Sequence, residues 1–221
     1  MPLFAEIRTT HIWGLPPAVT AGAHEIDALL LFIAGLTGAV FVLTQGIFFY
    51  SLYRYRRRDG VAARPTTGHL GAEIAWTLVT TLIFLGLFVW GEGLWKKLQT
   101  PPPDAGALQV EVMAEQYDWV IHYPETGRTL HNEMVVPVGR PVHLHLTSRD
   151  VIHSLYIPEF RLYQDLVPGR TIDWVSFTAE RPGRFSISCS QLCGAGHELM
   201  QGHLRVLPQA EFDAWYKEAK R

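Results

Sequence analysis

Residues able to do chemistry concentrate in one stretch near the C-terminal end, Cys189 to Met200. Both cysteines of the chain are here, Cys189 and Cys193, four apart. His197 follows four residues later and Met200 three after that. Thiolate, imidazole and thioether are the ligands that soft copper selects. Gly194 and Gly196 let the loop turn tightly enough for ligands close in sequence to converge on one point. A mononuclear blue-copper site takes one cysteine, so this loop has one too many, and two thiolates can instead bridge two copper ions. A second histidine must come from elsewhere, and His153, in His153-Ser154-Leu155-Tyr156-Ile157-Pro158, is the best placed. Two other chemistries compete. A disulfide is common in exported domains, but four residues apart it closes a very small loop and stabilises little. Structural zinc prefers a shorter cysteine spacing and a second ligand pair.

The pattern Cys189-x-x-x-Cys193-Gly194-x-x-His197-x-x-Met200, preceded by His153-Ser154 and Pro158, resembles the CuA signature of cytochrome c oxidase subunit II. The resemblance implies a binuclear copper centre with Cys189 and Cys193 as bridging thiolates and His153 and His197 as terminal ligands. Met200 and the backbone carbonyl of Gln191 are then the weak axial ligands. It also implies an electron-transfer role: electrons arrive from cytochrome c and pass to haem in a catalytic subunit I, where oxygen is reduced to water. A subunit III is a further expected partner. This chain has no haem-attachment Cys-x-x-Cys-His and no oxygen-reducing site of its own, so the catalytic chemistry lies in another chain.

Two departures from the family pattern matter. The aromatic run Gln116-Tyr117-Asp118-Trp119 has Tyr117 where the family has the tryptophan at which electrons enter, and Trp119 matches its second tryptophan. Tyr117 and Trp119 are therefore the candidate electron-entrance residues. Gln191 stands where the family commonly has a glutamate that also helps hold magnesium. A glutamine keeps the carbonyl but loses the charge a hard cation prefers, so the expected magnesium site is weak, altered or absent.

These residues need a scaffold, and the chain supplies one in two parts. Residues 1–24 are polar and mixed, an N-terminal external segment with no cleavable signal pattern. A charge-free run from Ala28 to Tyr50 lies within a first span of about 26–53, long enough to cross roughly 30 Å of hydrocarbon. Gly35, Gly38 and Ala39 can let a neighbouring helix approach closely. Arg54, Arg56, Arg57 and Arg58, with Arg64 beyond, mark the connecting loop 54–71 as cytoplasmic. The second span, about 72–95, ends at Trp90 and Trp95, placed like interfacial anchors, with Lys96 and Lys97 beyond. Together, 25–99 make a transmembrane hairpin with both ends outside. Glu73 opens the second helix, where a carboxylate suits the helix dipole. The family resemblance in Glu73-Ile74-Ala75-Trp76-Thr77 adds a role at the mouth of a proton channel in the catalytic subunit.

The Pro-rich stretch 100–104 reads as a stiff linker. Beyond it, 105–221 alternates with period two in Gln109–Ala114, Val142–Thr147, Thr171–Phe177 and Arg184–Cys189, bounded by Pro/Gly turns. That indicates a β-sandwich or barrel, and the resemblance implies a cupredoxin-like Greek-key barrel. Phe185, Ile187 and Cys189 share one strand face, so a core-facing strand runs into the first thiolate. Gln209–Lys220, with Phe212, Trp215 and Tyr216 at helical spacing, reads as a terminal helix. His143 and His145 share a strand face and read as solvated, while Asp150 and Asp165 are candidates for an acidic docking face.

The expected architecture is thus a membrane-anchored all-β protein in the inner membrane of a bacterium, with its N-terminus and copper domain on the periplasmic side. A formal net charge of −2 argues against a nucleic-acid partner. The basic excess before Asp104, 8 against 6 acidic, and the acidic excess after it, 15 against 11, suit a membrane face and a basic partner respectively. Rival readings are the CuA subunit of a haem-copper nitric oxide reductase and a membrane-bound copper-delivery protein. A quinol oxidase subunit lacks the copper ligands that are present here.

Overall fold

The structure, a computed structural model, describes residues 14–62, 65, 67–100 and 106–218. Arg64 and most of the expected Pro-rich linker lie outside the described residues.

Among the described residues two helices come first. Helix α1 runs Ala21–Arg54 and helix α2 Leu70–Gln99. Both are long and apolar enough to cross a membrane. Their starts are capped by side chains: the Ala23 N–H donates to Thr20 Oγ1 at 3.1 Å, and the Ala72 N–H donates to His69 Nδ1 at 3.0 Å. Each cap satisfies a donor that the first helical turn leaves over. Lys96 and Lys97 occupy the last turn of α2, where the dipole favours cations. Between the caps, residues such as Phe41, Leu43, Leu82 and Phe88 are exposed, as lipid-facing helices require. A Cβ added at Gly35 or Gly38 would meet nothing within 4 Å, so among the described residues these glycines make no close helix contact.

Ten strands follow: β1 Leu108–Glu115, β2 Asp118–Tyr123, β3 Arg128–His131, β4 Glu133–Pro137, β5 Pro141–Ser148, β6 His153–Ile157, β7 Leu162–Leu166, β8 Ile172–Thr178, β9 Gly183–Cys189 and β10 Gln201–Leu207. Helix α3, Gln209–Glu218, closes the chain as expected. The strands make two five-stranded sheets, in the orders β3-β2-β1-β5-β8 and β4-β10-β9-β6-β7. One buried cluster draws on both sheets, including Val110, Leu144, Leu155, Ile187, Leu204 and Phe212 from α3. The fold is therefore the expected hairpin of apolar helices followed by a β-sandwich.

The chain resolves into two compact units, Ala28–Leu94 and the remainder, so the residues just before α1 and its first two turns belong with the β-domain. Val19 is 1% exposed inside the β-domain core. Its N–H donates to the Glu159 carbonyl at 2.9 Å, and its carbonyl accepts from the Glu180 N–H at 2.9 Å. Arg161 and Asp27 form a two-pronged, largely buried ion pair, Nε to Oδ1 at 2.8 Å and Nη2 to Oδ2 at 2.9 Å. The residues from Pro16 to Asp27 thus form a strap across the β-domain.

Candidate metal centre

The site forms where three strands of the second sheet meet at one end. Strand β6 pairs antiparallel with β9, with Leu155 opposite Cys189, and the Ser190 N–H donates to the Ser154 carbonyl at 3.1 Å. That register sets His153, at the start of β6, beside Cys189, at the end of β9. The loop 190–200 then returns as β10, and the Cys189 N–H donates to the Met200 carbonyl at 3.1 Å. The hairpin so closed brings Cys193, His197 and Met200 back over Cys189.

The donor atoms face one another. Cys189 Sγ lies 3.8 Å from Cys193 Sγ, and both cysteines are free. A disulfide bond needs about 2.05 Å. His153 Nδ1 is 3.9 Å from Cys189 Sγ and 3.2 Å from Met200 Sδ. His197 Nδ1 is 3.6 Å from Cys193 Sγ, which is 3.9 Å from Met200 Sδ. The Gln191 carbonyl oxygen sits 3.2 Å from Cys189 Sγ. His153, Cys189, Cys193 and Met200 are buried, whereas His197 is half-buried at the rim. Among the described residues, His153, Cys189 and Cys193 form a cluster able to hold a metal ion. All six groups predicted as ligands are brought together.

The second ring nitrogen of His153 is held too. Its Nε2 lies 2.8 Å from Asp150 Oδ1, and Nδ1 is turned toward the sulfurs. Such outer partners are the usual companions of metal-ligating histidines. Burial pushes the Asp150 carboxyl up, but hydrogen bonds from His153 and from the Val151 and Gln116 backbone N–H groups outweigh it and hold the carboxyl below its ordinary value. Asp150 is exposed, and its carboxylate also holds His153 and the Val151 and Gln116 N–H groups. The Cys193 thiol is pushed up to about 11, first by burial and then by Cys189 beside it. The free Cys193 thiol thus keeps its proton at neutral pH, and a bound cation must displace it.

Around this centre, Trp119 is fully buried, with its ring edge-on to His153 at a centroid distance of 6.4 Å. Its backbone is fixed at both ends by Asn132: Trp119 N–H donates to Asn132 Oδ1 at 3.0 Å, and Asn132 N–H donates to the Trp119 carbonyl at 2.8 Å. Asn132 has φ 57°, a left-handed conformation that asparagine tolerates. Tyr117 is 37% exposed and lies on the loop glycines. A Cβ at Gly194 would fall 2.5 Å from Tyr117 Oη, and one at Gly196 2.6 Å from Tyr117 Cδ2, so only glycine fits beneath this ring. Glu73 is elsewhere, exposed in the first turn of α2. The roles of Asp150 and Asn132 escaped the sequence reading. Asp150, three residues before a ligand, carried a usable signal; Asn132 carried none.

His143 also differs from expectation. It is buried on the outer face of β5, where its ring nitrogen bonds the Asp173 carbonyl. The pairing of β5 with β8 shifts between Leu144 and Leu146, which brings Asp173 over the histidine pair. His145 is held between Asp173 Oδ1 at 2.9 Å and Gln109 Oε1 at 2.8 Å.

Comparison with known proteins agrees with this geometry. The family described as "Cytochrome C oxidase subunit II, periplasmic domain" matches residues 126–206. The chain is 30% identical over 248 residues to cytochrome c oxidase subunit 2 of Synechocystis sp., covering 91% of this chain and 74% of that one. It is 34% identical over 196 residues to heme-copper oxidase subunit 2 of Aeropyrum pernix, covering 79% and 82%. The crystal structure of the periplasmic domain of subunit II of cytochrome oxidase from Bradyrhizobium japonicum superposes with a TM-score of 0.51 at 31% identity, over 55% of this chain and 97% of that one.

Proposed function

The chain belongs to the cytochrome c oxidase subunit II family, and from that premise we propose that it takes in electrons at a binuclear copper centre held by His153, Cys189, Gln191, Cys193, His197 and Met200. As a member of this family it is the electron-input subunit of a haem-copper oxidase, an oxidoreductase complex built with a catalytic subunit. The observation that carries the copper assignment is the convergence of two unbonded thiols, a thioether sulfur and two Nδ1 atoms within 3.2 to 3.9 Å of their neighbours. This donor set is soft and sulfur-rich, which favours copper over hard cations. A bound copper pair supplies one-electron redox chemistry, each electron being shared between two metals.

The chain's own residues prepare that chemistry. The carboxylate of Asp150 fixes the His153 ring. Strand β9 delivers Cys189 from a packed core, so the ligand does not move when the charge changes. Tyr117, exposed against the metal loop, is the electron entrance, and Trp119, buried against His153, lies behind it. Gln191 offers its carbonyl but no charge, so any magnesium held nearby is bound weakly or not at all. The donor is cytochrome c or a similar carrier, and subunit III is a further partner. The docking of residues 16–27 on the β-domain supports a common side of the membrane for the two. The arginines after α1 then assign loop 54–71 to the cytoplasm and the metal centre to the periplasmic side of a bacterial membrane.

The test is copper stoichiometry and electron paramagnetic resonance on the full-length chain in detergent. Two coppers sharing one unpaired electron are expected, and Cys189→Ser or Cys193→Ser abolishes that spectrum. One copper per chain, zinc, or a variant that keeps the spectrum overturns the assignment.

A further inference from the structure

Resting on the copper reading above, we propose that Gln116 is a positioning residue that locks the metal loop to the surface where electrons enter. Gln116 lies in the turn between β1 and β2. Its backbone N–H donates to Asp150 Oδ2 at 2.7 Å, and the other oxygen of that carboxylate holds the His153 ring. Its side-chain Nε2–H donates to the Cys193 carbonyl at 2.6 Å. One residue therefore reaches, at one remove, a histidine at the start of β6 and a cysteine in the loop after β9, forty positions apart in the chain.

The Cys193 carbonyl needs this anchor. Cys193 sits in a loop with Gly194 and Gly196 directly after it, and Gly194 has φ 140°, a conformation only glycine adopts freely. Such a loop does not fix its own peptide planes. Donation from Gln116 sets the plane of the Cys193–Gly194 peptide, and that plane sets the direction of the Cys193 Cα–Cβ bond. Sγ is then aimed at Cys189, His197 and Met200. The next residue, Tyr117, presses its ring onto Gly194 and Gly196 from the same side. The turn is thus clamped to the metal loop at two points, carbonyl and ring, and to Asp150 at a third.

The clamp is also a bonded route inward. From Tyr117 the path runs through one peptide bond to Gln116, along its side chain, across one hydrogen bond of 2.6 Å and into Cys193. The same residue thus fixes the geometry of the cluster and connects it to the exposed ring. A side chain that only decorated an exposed turn would affect neither.

The experiment compares the full-length copper-loaded chain with Gln116→Met, which keeps the length and loses the donor, and Gln116→Glu, which keeps the shape but offers the carbonyl only an acceptor. Gln116 is exposed, so both variants fold. Copper stoichiometry, the hyperfine pattern, the reduction potential and the rate of reduction by cytochrome c are read for each. Both variants are expected to keep two coppers, to shift hyperfine pattern and potential in a graded way with Glu beyond Met, and to be reduced about tenfold more slowly. Wild-type values in both variants overturn the role of Gln116 and leave the copper reading standing. A wild-type chain without the two-copper spectrum overturns the copper reading itself, and the role of Gln116 with it.

Discussion

Tyr117 is where residue chemistry meets the outside. It is exposed, its ring covers the metal loop, and it contributes no ligand atom. Tyr117→Ala is therefore expected to slow reduction by cytochrome c while leaving the copper spectrum unchanged; an unaltered rate in stopped-flow mixing removes it from the path. A second residue-scale expectation concerns His131, whose Nδ1–H bonds the Asp118 carboxylate. That hydrogen bond, and then the carboxylate's charge, raise the imidazole above its usual 6.5. Because the folded value is raised, the pairing adds stability below the unfolded value and loses it as pH climbs through the folded one. Proton NMR titration should show His131 above 6.5, and Asp118→Asn should return it there. The convergence of the cluster was legible because its cysteines, histidine and methionine stand at short spacing in one loop. The contact of Asp150 with His153 was not, since an exposed acidic residue in a loop gives no sign of which neighbour it bonds. His143 failed for a related reason: alternation places it on an outer face and says nothing of the β8 shift that covers it.

At the scale of elements, strands with one dry and one wet face announced themselves. In β1 and β9 the buried positions alternate, as their sequences do. Strands β4 and β6 are buried at nearly every position, so their sequences lack the period-two signal. The helices were plain from their charge-free runs. The strap was not, because a short polar segment docks through a few side chains rather than through a repeating pattern. Its strongest point is the Asp27–Arg161 pair, both side chains 9% exposed. Removing one partner of a buried pair leaves an uncompensated charge, which costs about 3 kcal/mol. Arg161→Met should lower stability toward denaturant by about that amount, with copper stoichiometry unchanged. A variant as stable as the parent would mean that the pair adds nothing.

For the whole molecule, the strap makes the β-domain depend on residues that precede the helices. A fragment from Asp104 to Arg221 keeps every proposed ligand but leaves the place of Val19 empty. Burying one valine is worth about 2 kcal/mol. The fragment should bind copper, unfold at lower denaturant than a mixture of the fragment with a peptide of residues 14–27, and regain stability as that peptide is added. No response to the peptide would show that the strap is a passive contact.

The same contact sets a schedule for making the protein. Val19 leaves the ribosome early, while Glu180, to whose N–H its carbonyl bonds, is added roughly 160 residues later, which at ~5–20 residues per second is about 8–30 s. Through that interval the strap has been synthesised but has no docking surface. A stretch translated ahead of the two helices is thus among the last to find its place, and the β-domain completes its core only when that earlier stretch docks.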